Sequence, residues 1–571
     1  MYKLIVILIL PLFFHQTVVA QAPTFTWVKP ILGENPLDPG LAISDMATDS
    51  AGNTYITGSF RSVINFGSGI ALQGSENSFS IYLAKYDTGG TPLWAVKAQV
   101  LHSALSEINA MPPRIAIDSA SNIYWAGSYR APNITFGDNQ ITISRACSDC
   151  QEGYLVKVDK DGNILFGRAL RATSEANLVI TDVEADFSQR CYLAGTHTGN
   201  ELFLEPGPFF SSQATGGCFL AAIDPENGVD WINFQRNLNS STTSPAIALS
   251  PDHERIVMTG KFTGSELDFG NNVIIGSSGM NKNFAVWYDT EGVALTAGAL
   301  ESTNYADIFD FKIDDQYRLW TLCTFWPSIT WNGQIFESVP MNPAYIPSML
   351  TILAPELSPV KVFSINDTPV SSLPITSLTL THSGKFYTSG VTDQYMQNIP
   401  GVASLVSDGG YDIVFTGGAA DSLQWARRVG GNQSQSTSWA FPGNLMTSDA
   451  AENLYMTGHA FTGNFDGIFL NHTGWWIGKL STTFTSTQGP EQTLGLMIRP
   501  NPATQNVQLT FPENTRGACR VTDIAGRIMR EMEITQEDLS ITVENWPNGM
   551  YFLEYATKQG DRMVKKFLIQ H

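Results

Sequence analysis

Short runs in which apolar and polar residues alternate with a period of two recur along the whole chain. Most are bounded by Asp, Gly, Asn or Ser. Such alternation predicts half-buried β-strands, and the bounding residues predict tight turns. One stretch sets the pattern: Asp49-Ser-Ala-Gly-Asn-Thr-Tyr-Ile-Thr-Gly-Ser-Phe60 returns at residues 118–129 and again at 449–460. Aligned on the residue that closes the alternating run, the copies fall at Gly58, Gly127, Gly195, Gly260, Cys323, Gly390 and Gly458, at intervals of 63 to 69 residues. Nine positions earlier stand Asp49, Asp118, Asp186, Pro251, Asp314, Thr381 and Asp449. An Asp at the start of a turn accepts from the backbone N–H two residues on, so turn chemistry explains its recurrence.

Each copy holds more than this hairpin. A short apolar strand precedes the turn, as at 43–48 and 309–313. A connection that often carries Phe-Gly follows (Phe66-Gly67, Phe136-Gly137, Phe269-Gly270). A third strand, an Asp/Gly turn and a fourth strand with Trp94, Phe166, Trp231 or Trp425 complete the unit. Four antiparallel strands repeated seven times predict an all-β fold, a seven-bladed β-propeller over residues 24–482. The seventh copy stops after its third strand at 475–480, while residues 24–30, with Trp27, read as an orphan fourth strand. The N-terminal strand is therefore expected to complete the last blade and close the ring, which removes an exposed sheet edge. These copies resemble the seven-bladed propeller repeats common in secreted bacterial proteins, a likeness that speaks for architecture and not for activity.

Residues 483–495 are polar and without pattern, as expected of a linker. Beyond them, residues 496–571 alternate again between Pro, Gly and Asn and predict a small Ig-like β-sandwich. Pro500-Asn501-Pro502, Asp523 with Gly526-Arg527, Gly549 with Tyr551, and Lys565-Lys566 follow one another in this tail. In that order the motifs resemble the C-terminal sorting domain of the type IX secretion system of Bacteroidetes. Arg499 stands where an aromatic is usual. The resemblance implies two partners, the secretion machinery and its tail-removing protease. It also implies release from the cell or attachment to the outer-membrane surface.

The N-terminus fits that destination. A Lys at position 3, an apolar run over 4–14 and small residues up to Ala22 predict a signal peptide over 1–22. No later segment is long and apolar enough to predict a membrane-spanning helix. With 33 Lys and Arg against 53 Asp and Glu, the net charge of −20 repels phosphate backbones, so no nucleic-acid partner is expected. Six cysteines in an oxidising compartment make Cys147 with Cys150, and Cys191 with Cys218, the disulfide candidates.

Sites are harder to read. There is no His-Glu-x-x-His pair, Gly-x-Ser-x-Gly elbow, P-loop or dinucleotide fingerprint, so neither catalytic residues nor a cofactor are expected. Four residues before the turn Asp, the first strands of copies one, three and five carry Asp45, Asp182 and Asp310, with Arg114 at that place in copy two. Converging on an axis, such carboxylates would need a cation or Arg114 between them, and they are the candidate metal ligands. The sequence as a whole predicts a secreted or surface-displayed propeller that binds or scaffolds an extracellular protein or glycan. The alternative is an extracellular enzyme acting on glycans or peptides at one propeller mouth.

Overall fold

The computed structural model describes residues 22–481 and 497–569, apart from stretches between strands of which 101–111, 338–347, 366–374 and 437–444 are the longest. The chain divides into two compact units, Met1–Phe484 and Thr485–His571. The described residues are all-β: they contain no helix, and their strands pair antiparallel.

In the first unit every copy of the repeat builds hydrogen-bonded strands in sequence order. The first sheet comprises Ala42–Thr48, Thr54–Phe60, Ser80–Tyr86 and Pro92–Val100, and the second Arg114–Ile117, Ile123–Tyr129, Glu152–Val158 and Ile164–Ala172. The third runs Leu178–Ala185, Cys191–His197, Gly217–Asp224 and Gly228–Phe234, and the fourth Ser241–Leu249, Arg255–Thr263, Asn281–Asp289 and Ala294–Ser302. The fifth holds Tyr305–Ile313, Leu319–Trp326, Ser348–Leu353 and Pro359–Ser364, and the sixth Ile375–Leu380, Lys385–Asp393, Tyr411–Ala419 and Ser422–Val429. The seventh takes Met446–Ser448, Leu454–Ala460 and Gly474–Ser481 from the end of the repeat region and its fourth strand, Thr24–Gly33, from the N-terminus. In that last pairing Phe25 lies opposite Leu480 and Ile31 opposite Trp475.

The apolar residues of each sheet meet those of its neighbour. Tyr55 and Leu83 pack with Trp125 and Val156, Leu155 with Leu193, Leu220 with Phe284, and Trp287 with Phe325. Leu350 shares a cluster with Phe386, and Phe415 with Trp476. A further cluster joins Tyr455 and Ile477 of the seventh sheet to Ile43 and Met46 of the first. The first strands of successive sheets are neighbours throughout, and the seventh neighbours the first.

Local chemistry explains the repeated residues. Asp49 accepts from the backbone N–H of Ala51 and Asn53 through Oδ1, and from Asn53 Nδ2 and Tyr55 Oη through Oδ2. Asp118 and Asp449 repeat that turn, and Asp186 and Asp314 do so with different partners. The closing Gly is required by a close approach across the sheet. It faces Tyr82, Tyr154, Phe219 and Phe284 in copies one to four, and a Cβ on Gly127 would lie 2.5 Å from Tyr154 Oη. In copy five the facing residue is Met349, a thinner and more adaptable side chain, and Cys323 replaces the glycine.

The Phe-Gly connections hold more structure than the sequence pattern predicts. The segment between second and third strands is itself a hairpin, such as Asn133–Phe136 with Ile141–Ser144. In the second copy it pairs with the outer strand of the preceding sheet, Ile134 opposite Val100, and in the third and fifth copies Leu202 and Thr330 do the same. A hairpin placed so covers an edge that the four-stranded unit would leave with unpaired N–H and C=O groups.

In the second unit, Met497–Arg499, Asn506–Thr510 and Asp538–Thr542 form one sheet. Gly517–Asp523, Ile528–Ile534, Gly549–Thr557 and Arg562–Ile569 form another. Val507, Leu509 and Ile541 of the first share a core with Val521, Leu553 and Phe567 of the second.

Candidate functional site

The three carboxylates singled out from the sequence sit beside β-bulges of their first strands, where the register shifts between Ile43 and Asp45, Ile180 and Asp182, and Ile308 and Asp310. A bulge puts two residues against one and re-aims the side chain next to it. Each Asp then reaches the next sheet. Asp45 Oδ2 accepts from Ile115 N at 3.0 Å, Asp182 Oδ2 from Ile247 N at 2.9 Å, and Asp310 Oδ2 from Leu378 N at 2.7 Å. Their Oδ1 atoms accept from the following backbone N–H of Met46, Val183 and Phe311. Sheets one, three and five are thus stapled to two, four and six.

Each of these carboxylates thus has both oxygens bonded to backbone N–H groups. Among the described residues the one trio of metal-capable atoms within 4.8 Å of one another is Cys147, Cys150 and Glu152, and the oxygens of Asp45, Asp182 and Asp310 do not form such a trio. Cations of the chain itself stand near the carboxylates. Arg114 donates from Nη1 to the carbonyl of Ser44 at 2.9 Å and from Nε to that of Thr181 at 3.2 Å, and so spans sheets one to three. Lys312 Nζ pairs with Asp310 Oδ1 at 2.8 Å.

Two members of this group, Glu184 and Lys312, belong to no motif in the sequence. Each lies two residues beyond a singled-out Asp, and alternation along a strand puts i and i+2 on one face, which was the available signal. Burial pushes the Asp45 carboxyl up to about 7, against the pull of Arg114 and the backbone donors. Burial also raises Asp182, with Arg114 opposing. Glu184 is pushed up to about 8 by burial and by the neighbouring Asp182. Burial alone would lower the Lys312 ammonium, but Asp310, Glu184 and Asp182 outweigh it and hold it above its usual value.

The cysteines divide. Cys147 and Cys150 form a disulfide with their Cα atoms 5.8 Å apart. Next to it Glu152 accepts from Ala146 N at 2.9 Å, Tyr129 Oη at 3.1 Å and Arg171 Nε at 3.1 Å, so its carboxylate is committed to holding this corner. The expected partnership of Cys191 with Cys218 is corrected: both are free and buried. They lie on adjacent strands, but Cys191 faces Ile223 and Cys218 faces Thr196. Such an offset is roughly 16 Å along a strand, far beyond disulfide reach. Trp475 and Trp476 are both buried, and Trp475 Nε1 donates to Leu41 O at 2.7 Å, so neither ring is a free stacking platform.

In the tail, Asp523 makes the same kind of turn as the repeat: Oδ1 accepts from Arg527 N at 2.9 Å and Oδ2 from Arg527 Nε at 2.7 Å. Tyr551 is buried against Trp546 and Phe567, with Oη donating to Pro547 O at 2.7 Å. Gly549 opens the strand Gly549–Thr557 that carries Tyr551. Lys565 and Lys566 lie on the outermost strand opposite Leu553 and Phe552. Pro500, Asn501, Pro502 and Gly526 lie outside the described residues, as do the expected signal peptide up to residue 21 and the expected linker. No helix among the described residues is long and apolar enough to cross a membrane.

Among curated proteins no match is found. Solved structures give distant likenesses. The extracellular domain of a hybrid two-component system of B. thetaiotaomicron is 10% identical, over 96% of this chain and 100% of that one, with a TM-score of 0.18. PorZ, a surface component of the type IX secretion system of Porphyromonas gingivalis, is 10% identical over 93% of this chain and 94% of its own, with a TM-score of 0.17. A PL25 ulvan lyase is 8% identical over 80% and 96%, with a TM-score of 0.38. Scores this low carry no argument about function. The informative match is at the C-terminus: residues 497–570 match the family described as the secretion system C-terminal sorting domain, which supports an exported protein.

Proposed function

We propose that this protein is a secreted or cell-surface binding or scaffold protein, exported by the type IX secretion system through its C-terminal domain. Its first unit is read as a seven-bladed β-propeller closed by the N-terminal strand, its second as an Ig-like sorting domain, and residues 1–22 as a signal peptide. The sorting-domain match over 497–570 carries the export route. The propeller reading is supported by seven four-stranded units whose first strands neighbour one another in cyclic order, and by the cluster that joins the seventh sheet to the first. The scaffold role is supported by the work of the charged residues. The carboxylates singled out as candidate ligands accept backbone N–H groups between sheets, as a rigid support requires.

Export is tested in a host with a working type IX system, by comparing the full chain with one lacking residues 497–571 and with Asp523→Ala. The truncated chain should stay in the periplasm. Asp523→Ala should reach the exterior in reduced yield, because its turn loses two hydrogen bonds worth about 1–3 kcal/mol together. Equal amounts of truncated and full chain outside the cell would sink the assignment.

A further inference from the structure

The turns between first and second strands differ in one respect from copy to copy. Their closing N–H comes from Gly52 in the first and Gly384 in the sixth, but from His253 in the fourth and Tyr317 in the fifth. All four residues have positive φ, from +56 to +80. Glycine takes that conformation freely and a bulky side chain takes it at a cost, so the backbone of the turn does not ask for a ring there. Copy three adds Phe187, at the place where copies one and two carry Ser50 and Ser119. Three successive turns thus present rings that their own hydrogen bonds do not need. Bulky residues held at positive φ in loops on a rigid framework mark places where function has been added.

The rings form a connected patch. Phe187 and His253 stack with centroids 3.7 Å apart and planes 3° apart. The Tyr317 hydroxyl donates to Asp252 Oδ2, and the Arg255 guanidinium lies over the Tyr317 ring at 4.5 Å. One ring of the patch therefore already carries a cation, supplied by the chain itself. Phe187 does not. His253 covers one of its faces, yet it remains 61% exposed, which leaves the other face open. The stack also fixes the ring before anything binds, so less entropy is lost on contact. Arg190, from the same turn as Phe187, joins the patch to a turn of the fourth sheet by donating to Thr290 O at 3.2 Å, and it pairs with Asp230 at 3.0 Å. The three turns around Phe187, residues 186–190, 250–255 and 289–292, hold five carboxylates against two arginines. Asp252, Glu254 and Glu291 among them are exposed.

We propose that this patch binds a Lys- or Arg-bearing segment of another protein, whose charged group lies on the open face of Phe187 while the surrounding carboxylates draw it in. The contact repeats that of Arg255 over Tyr317, with the cation brought from outside. The inference deepens the binding role proposed above and rests on it, adding a site and a class of partner. A neutral glycan would stack on the same ring without using the surplus of carboxylates.

The test is fluorescence anisotropy of a labelled octa-arginine peptide titrated with the full chain, with labelled cellohexaose as the neutral probe. Phe187→Ala leaves every charge in place and should weaken peptide binding by roughly two- to five-fold. Phe187→Trp should match or exceed the wild-type affinity, because Trp offers the better face to a cation. Phe469→Ala removes a ring that is 64% exposed on the outer hairpin of copy seven and should change nothing. Equal affinities for Phe187→Ala and Phe469→Ala would mean that the peptide meets the acidic surface at large, and would overturn the proposal. Binding of the hexaose alone, lost in Phe187→Ala, would overturn it as well and leave the binding role standing with a different partner. If neither probe binds, the proposal falls, while export is read separately from the location of the truncated chain.

Discussion

Phe25→Ala is the sharpest test of the N-terminal strand as a structural part of the last sheet. Phe25 is 6% exposed, and its ring meets Phe415, Phe465 and Trp476 edge-on at centroid distances of 6.0, 5.2 and 5.8 Å. It thereby ties the sixth and seventh sheets to a strand from the opposite end of the unit. Truncating a buried Phe to Ala costs roughly 3–5 kcal/mol through lost transfer energy and the cavity left behind. Edge-to-face aromatic pairs add about 0.5–1.5 kcal/mol beyond area. The backbone bond from Phe25 N to Asp466 Oδ2 at 2.7 Å remains, so the loss should be about 4 kcal/mol rather than release the strand entirely. The assay is urea denaturation of the full chain followed by tryptophan fluorescence, for which Trp476 lies in contact with the mutated site. Thr26→Ala, one residue on and exposed, is the internal control. It gives up one exposed hydrogen bond, to Lys479 O, and should cost no more than about 1 kcal/mol. Equal urea midpoints for the two variants would refute the view that this strand is packed into the core.

Two further outcomes follow from local geometry. Gly90 has φ +79, and a Cβ there would lie 2.7 Å from the Trp27 ring, whose Nε1 donates to Thr88 O. Gly90→Ala should therefore lower the denaturation midpoint by the equivalent of about 1–3 kcal/mol, and Gly67→Ala, at positive φ with open space around it, should lower it less. Alkylation of the unfolded, unreduced chain followed by intact mass should label Cys191, Cys218, Cys323 and Cys519, with Cys147 and Cys150 added only after reduction. Label missing from Cys191 and Cys218 before reduction would mean a second disulfide.

The tail repeats a device of the first unit. Asp523 and Arg527 form their turn through the same carboxylate-to-backbone bond as Asp49 and Asn53. Tyr551 is likewise a core residue, stacked on Phe567. The described residues most visible as a sorting motif are in this sense the ones that end a strand sharply or fill the small core behind it.

What the sequence determined by itself was everything that a few neighbouring residues decide. Asp49 bonds to backbone groups two and four residues away, so its turn is written locally and returns wherever the local pattern returns. The strands, the repeat interval and the incomplete last copy were legible for that reason, and so was the N-terminal strand that pairs with Gly474–Ser481. The tertiary structure decided whatever depends on a neighbouring sheet. Asp45 became an inter-sheet staple because a bulge aims it at Ile115, and no pattern within its own copy encodes that partner. Cys191 and Cys218 were kept apart by register, which composition does not carry. Glu184 and Lys312 come within electrostatic reach of each other only because sheets three and five are held near each other, across a distance in sequence that local periodicity cannot span.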